Sequence, residues 1–154
     1  MKLAILAILA LLLLGCSGIN SGVPQANATP SPQQQTSNFT LHVAYFYGAT
    51  CQYSAKANPI VDQLEQAYSR KGVKVDRYEV WYDAENKMLY DRMADAYNIS
   101  PSNRGVPVAY IDGEYLMGYQ RINQYLEQEI DACLKAKCPN PLDAPNNPSI
   151  AKPI

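Results

Sequence analysis

The stretch Thr50-Cys51-Gln52-Tyr53-Ser54-Ala55-Lys56-Ala57-Asn58-Pro59 follows an apolar run over residues 41–47 and opens a helical pattern. A strand therefore delivers a cysteine to a helix N-terminus. There the unpaired N–H groups of the first turn and the positive end of the helix dipole favour an anion, which stabilises a thiolate and lowers the pKa of Cys51. Ser54 stands three residues on and on the same helical face, so its hydroxyl can point back at the sulfur. Cys51 and Ser54 are the candidate catalytic pair, with Cys51 as the nucleophile. A cysteine and a serine at this spacing also arise by chance, and most free cysteines are small buried hydrophobes. The pair needs support from elsewhere in the chain.

That support comes from two prolines. Pro59 falls eight residues after Cys51 inside the helical pattern, and Arg104-Gly105-Val106-Pro107 precedes a second apolar strand. With these features residues 39–137 resemble the thioredoxin superfamily, whose active-site helix carries C-x-x-C with a proline at that offset. The resemblance implies that Pro107 is a cis-proline beside Cys51, and that Tyr53, Val106 and Pro107 line a substrate groove. The departures are specific. Ser54 stands where thioredoxins carry a resolving cysteine, Thr50 where they carry tryptophan, and Gln52-Tyr53 where they carry Gly-Pro. Tyr45 occupies the place of their buried acid, six residues before the cysteine. The C-x-x-S pattern is similar to that of monothiol glutaredoxins, which also have an aromatic residue at the third motif position.

Residues 1–15 hold one cation, Lys2, an unbroken apolar run from residue 3 to residue 14, and Gly15 before Cys16. A run this short does not cross a hydrocarbon core that needs about twenty residues, and it reads as an export signal. Leu13-Leu14-Gly15-Cys16 is similar to the lipobox of prokaryotic lipoproteins, which implies cleavage before Cys16, lipid attachment to that cysteine, and a protein held at the outer face of a cell membrane. The alternative is a plain secretory signal in which Cys16 is incidental. Residues 16–38 are rich in Ser, Gln, Asn, Pro and Gly and carry no charge. Such a segment buries too little to offset its ordering entropy, so it is expected to be a flexible tether.

Residues 39–138 are long enough for one domain with a modest core. Residues 39–47 read as a central strand covered on both faces, interrupted only by Thr40 and His42. His42 lies too far along that strand from Cys51 to act as its base. Residues 55–70 carry Ile60, Val61, Leu64, Ala67 and Tyr68 at helical spacing, with Gly72 as a C-terminal stop and Pro59 as an expected kink. Residues 73–81 alternate imperfectly, as an edge strand does. Asp83 is placed to cap a helix whose stripe is Met88, Leu89, Arg92, Met93, Ala96 and Tyr97. Trp81 and Tyr82 read as core or rim packing. Residues 108–118 form a hairpin about Asp112 and Gly113, and Ile122, Leu126, Ile130, Cys133 and Leu134 stripe a last helix. The expected fold class is α/β, a minimal thioredoxin fold with a four-stranded mixed sheet and helices on both faces. Ligands gather at the edge where its parallel strands end, beside Cys51.

Four cysteines are present. With Cys16 assigned to the anchor, Cys133 and Cys138 are expected to close a short disulfide over the end of the last helix, a loop worth about 2 kcal/mol on the chain-entropy estimate. Two thiols without a nearby histidine are too few for a closed zinc site, so no metal or cofactor is expected. Cys133 lies far along its helix from Cys51, and any resolving thiol must come from a second molecule. Residues 139–154, rich in Pro and Asn, are expected to be a disordered tail. The net charge of −1 and the lack of a basic stripe argue against nucleic acid. The partners expected are a thiol- or disulfide-containing protein, a small thiol, and the membrane through its anchor. Three functions fit: an extracytoplasmic thiol-disulfide oxidoreductase with a single active-site cysteine, a non-redox binding or chaperone-like module, and an iron–sulfur or metal carrier like the monothiol glutaredoxins.

Overall fold

The computed structural model of the protein describes residues 39–151. The signal peptide and tether assigned to residues 1–38, with lipid attachment at Cys16, lie outside the described residues. The chain runs β1 (Leu41–Tyr47), α1 (Gln52–Tyr68), β2 (Val73–Glu79), α2 (Ala84–Ala96), β3 (Val108–Ile111), β4 (Glu114–Met117) and α3 (Tyr119–Ala136), with short 3-10 turns at Ser69–Lys71, Pro101–Asn103 and Pro141–Asp143. The sheet order is β2-β1-β3-β4. β1 pairs parallel with β2 and antiparallel with β3, and β3 pairs antiparallel with β4. This is the four-stranded mixed sheet of a minimal thioredoxin fold.

β1 is central, and its side chains divide by the period of a strand. Leu41, Val43 and Tyr45 enter one apolar cluster with α1 and α3, and Ala44 and Phe46 enter another with α2. Helices therefore cover both faces. α3 buries Ile122, Leu126, Ile130 and Cys133, the stripe read from the sequence. In α2 the stripe is shifted. Tyr90, Met93, Ala94 and Tyr97 face the sheet, whereas Met88 is exposed and Arg92 points to solvent. The expected stripe counted Met88 and Arg92 and passed over Tyr90; in the fold the Tyr90 hydroxyl reaches the Gly105 carbonyl at 2.9 Å, which lets the ring be buried beside Met93 and Ala94 on the sheet-facing side.

α1 runs unbroken through Pro59. Asp83 caps α2 by accepting the Asn86 N–H at 2.9 Å. Asp112 and Gly113 both have positive φ, as a tight two-residue hairpin requires. His42 bonds the Asp76 carboxylate at 2.6 Å across β1 and β2, a structural role.

Residues 139–151 correct the expected disordered tail. A disulfide joins Cys133 to Cys138. From there the chain reverses through the left-handed Lys137, passes to the other face of the sheet, and packs Ala144 fully buried, with Leu142, Ile150 and Ala151 against the α2 cluster. Composition misled because Pro141 and Asn140 act here as turn formers: the Asn140 side chain accepts the Leu142 N–H at 3.0 Å, and Pro141 opens the 3-10 turn.

Candidate functional site

Cys51 is the N-cap of α1, with extended backbone, and its residue is 9 % exposed. The turn that presents it closes with the Cys51 N–H on the Gly48 carbonyl at 3.1 Å. Ser54 is buried, and its hydroxyl oxygen accepts the Gly48 N–H at 3.2 Å, leaving its own proton for the sulfur. Burial pushes the Cys51 thiol up. Hydrogen bonds from the Ser54 N–H, the Ser54 hydroxyl and the Tyr53 N–H favour the thiolate and together outweigh burial, so the thiol lies below its ordinary value. The thiol also reaches the Val106 carbonyl at 3.6 Å.

The second wall of the site is the segment before β3. The Val106-Pro107 peptide is cis. Five hydrogen bonds brace the segment: the Tyr90 hydroxyl on the Gly105 carbonyl at 2.9 Å, the Pro107 carbonyl taking the Gly118 N–H at 2.8 Å, and Arg104 bonded to Asp91 at 3.2 Å, to the Ile99 carbonyl at 3.2 Å, and to Asp95. Gly118 is at φ +88°, a conformation side chains rarely adopt, as it turns from β4 into α3. The fold thus brings Cys51, Ser54 and Val106 together from α1 and the β3 approach.

Tyr53 sits on the exposed side of the first helical turn, 47 % exposed. Trp81 and Tyr82, at 50 % and 76 %, resolve to the rim, and Met88 is exposed on the helix that follows them. A cleft of about 340 Å³ runs from Val106 and Gly105 past Arg104 and Tyr90 to Trp81. Cys133 and Cys138 are bonded to each other, so neither can resolve Cys51. Among the described residues Cys51 is the free cysteine.

Behind the site Tyr45 is buried and donates to the Asn58 side chain at 2.8 Å, with the Arg77 guanidinium 5.7 Å from its ring centre. Burial pushes the phenol well above its usual range, with Arg77 pulling against it, so it stays neutral where an acid would carry charge. Among the described residues one group of metal-ligating side chains converges, Asp112 with Cys133 and Cys138, and its two sulfurs are joined in the disulfide.

Sequence reasoning passed over Tyr90, Arg104 and Glu79 as parts of this edge. Arg104 was visible only as the residue before Gly105, and Tyr90 only as one aromatic among twelve tyrosines. Two of the Glu79 bonds are local, to the Trp81 and Tyr82 N–H groups, but its link to the thiol edge had no sequence signal, because its cross-loop partner, Ala49, is 30 residues away.

No family model matches the chain, and no curated protein is similar to it in sequence. Among solved structures, the crystal structure of a buckwheat glutaredoxin–glutathione complex matches at TM-score 0.34 and 13% identity, over 71% of this chain and 81% of that chain.

Proposed function

We propose that this protein is a membrane-anchored, extracytoplasmic thiol-disulfide oxidoreductase that works through the single thiol of Cys51, with lipidated Cys16 as its anchor. The observation that carries the reading is Cys51 at the N-cap of α1, its pKa lowered, with its sulfur against the Val106 carbonyl at 3.6 Å. In the forward step the Cys51 thiolate attacks one sulfur of a substrate disulfide. That S–S bond breaks, a mixed disulfide forms, and the other substrate sulfur leaves as a thiolate that takes a proton from water. Ser54 donates its hydroxyl hydrogen to the attacking sulfur and has no thiol to complete the exchange. An external thiolate then attacks the mixed disulfide at the substrate sulfur, and Cys51 leaves as a thiolate. The substrate sulfur is thereby transferred to the external thiol, and a second such thiol completes its reduction.

The test is the pH dependence of alkylation of Cys51 in the protein carrying no other free thiol. The expected midpoint lies below the value of about 8.5 of an unperturbed cysteine, and Cys51→Ser abolishes the reaction. A profile that matches a model peptide sinks the redox reading. The exposed Tyr53, Trp81 and Tyr82 then favour a second one, a non-redox module that holds apolar peptide segments. Mixed disulfides with a disulfide-bonded test peptide, stable until an external thiol is added, are the product that separates the two. The iron–sulfur or metal carrier is the least supported, with one cysteine at the site and Gln52 where those glutaredoxins have glycine.

A further inference from the structure

The Glu79 carboxylate stands between two loops at the thiol edge. Its Oε1 accepts the Ala49 N–H at 3.0 Å and the Trp81 N–H at 2.9 Å, and its Oε2 accepts the Tyr82 N–H at 2.8 Å. The first bond reaches the turn that presents Cys51. The other two hold the loop that bears Trp81 and Tyr82. The two loops also touch directly, since a Cβ placed on Gly48 would fall 2.5 Å from Cε2 of Trp81. Any side chain at this position would displace the indole from the turn, and the same glycine closes that turn onto the Cys51 N–H and donates to Ser54.

We infer that Glu79 is a positioning residue for the thiol: it locks the turn over residues 48–51 to the rim formed by Trp81 and Tyr82, so that rim and thiol are displaced as one body. The inference rests on the redox reading for its use and on geometry for its existence. A carboxylate that accepts three N–H groups carries charge-assisted bonds, which are shorter and stronger than neutral ones. With it in place, an adduct on Cys51 moves the turn, the Ala49 N–H draws on Glu79, and Glu79 carries the movement to Trp81. In the other direction, a substrate side chain seated on the indole is held at a fixed offset from the sulfur. The substrate class that profits is a disulfide with an aromatic residue beside the cysteine.

Trp81 is the sole tryptophan of the chain, so the coupling is measurable in the full-length protein. Cys51 is alkylated with iodoacetamide, complete reaction is checked by mass, and tryptophan fluorescence is recorded before and after in the native sequence, in Glu79→Ala and in Glu79→Gln. The amide oxygen of glutamine can take the place of Oε1 and keep the bonds to Ala49 and Trp81, losing only the one to Tyr82. The expected result is a fluorescence change on alkylation that Glu79→Gln largely keeps and Glu79→Ala loses. A change that persists in Glu79→Ala, or none in the native protein, overturns the inference. A urea midpoint for each variant separates loss of coupling from loss of fold; if Glu79→Ala unfolds, the comparison of native protein with Glu79→Gln decides, and a signal lost in folded Glu79→Gln counts against it.

The second arm measures rates. With a peptide disulfide carrying an aromatic residue next to its cysteine, Glu79→Ala is expected to slow mixed-disulfide formation by up to about tenfold, the worth of one well-set aromatic contact. Iodoacetamide, which makes no such contact, is expected to react within about twofold of its native rate. Equal slowing of both reagents would show Glu79 to be merely structural and overturn the inference. Native protein that alkylates normally yet never forms the peptide adduct refutes the redox reading instead, and the fluorescence arm still decides Glu79.

Discussion

The two faces of the sheet are built from different materials. On one, α1 and α3 lay mainly aliphatic stripes, Val61, Leu64, Ile122, Leu126 and Ile130, on Leu41, Val43 and Ile111. On the other, one short helix and the C-terminal segment cover a largely aromatic layer in which Phe46 meets Tyr78, Tyr90 and Tyr110, and Tyr97 meets Tyr110. Polar atoms fare differently too. On the first face the Tyr45 hydroxyl has Asn58, and the Tyr68 hydroxyl has Glu127 at 3.2 Å, its pKa pushed up to about 12 by burial and by the acids Asp131 and Glu127. On the second, the Tyr97 and Tyr110 hydroxyls are buried with no protein partner among the described residues. A helical face closes itself, whereas the aromatic face needs a lid from elsewhere in the chain.

Removing that lid is the strongest way to break the contrast. Deleting residues 141–154 exposes the burial made by Pro141, Ala144, Leu142 and Ile150, and at about 25 cal/mol per Å² of apolar surface the expected loss is about 3 to 5 kcal/mol in urea denaturation. The exposed aromatic face should then bind a hydrophobic dye under conditions where the intact chain does not. A truncated chain as stable as the native one would mean that the segment is an ornament.

The disulfide lies wholly on the aliphatic face, where Cys133 and Cys138 belong to one cluster, and it fixes the point from which the following segment crosses to cover the aromatic face. Replacing both cysteines by serine removes a five-residue link worth about 2 kcal/mol by chain entropy. Hydrogen exchange should rise first in residues 141–151, with α1 protected. Exchange that rises evenly over both faces would show that the crosslink steadies the whole domain and not the lid.

Two conservative substitutions give the finest comparison. Tyr45→Phe removes a hydroxyl with a partner at 2.8 Å and is expected to cost about 1 kcal/mol. Tyr110→Phe removes one without a protein partner while the ring stays. Its effect should be near zero or stabilising, since a buried hydroxyl left unpaired costs about 1 to 3 kcal/mol. Equal losses in the two variants would erase the difference between the faces.

What could be read from the sequence alone follows from local period and from residues with fixed backbone habits. The continuous apolar run of β1, the 3.6-residue stripe of α3, the Asp83 cap and the Asp112 and Gly113 turn each depend on neighbours within a few positions, and together they determine the element order and hence the sheet. Cys51 at a helix N-terminus was legible for the same reason, as was the closing of Cys133 on Cys138 five residues away. The tertiary structure alone decided the rest. Whether a segment rich in Pro and Asn is ordered depends on what surface is left uncovered, and that surface is assembled from Ala44, Phe46, Val108 and Tyr110 on separate strands. Whether Tyr90 is core depends on a carbonyl 15 residues ahead, and the place of Glu79 in the thiol edge depends on an amide 30 residues behind it. Hydrogen bonds of that reach have no period in the chain, so only the packed fold can bring their partners together.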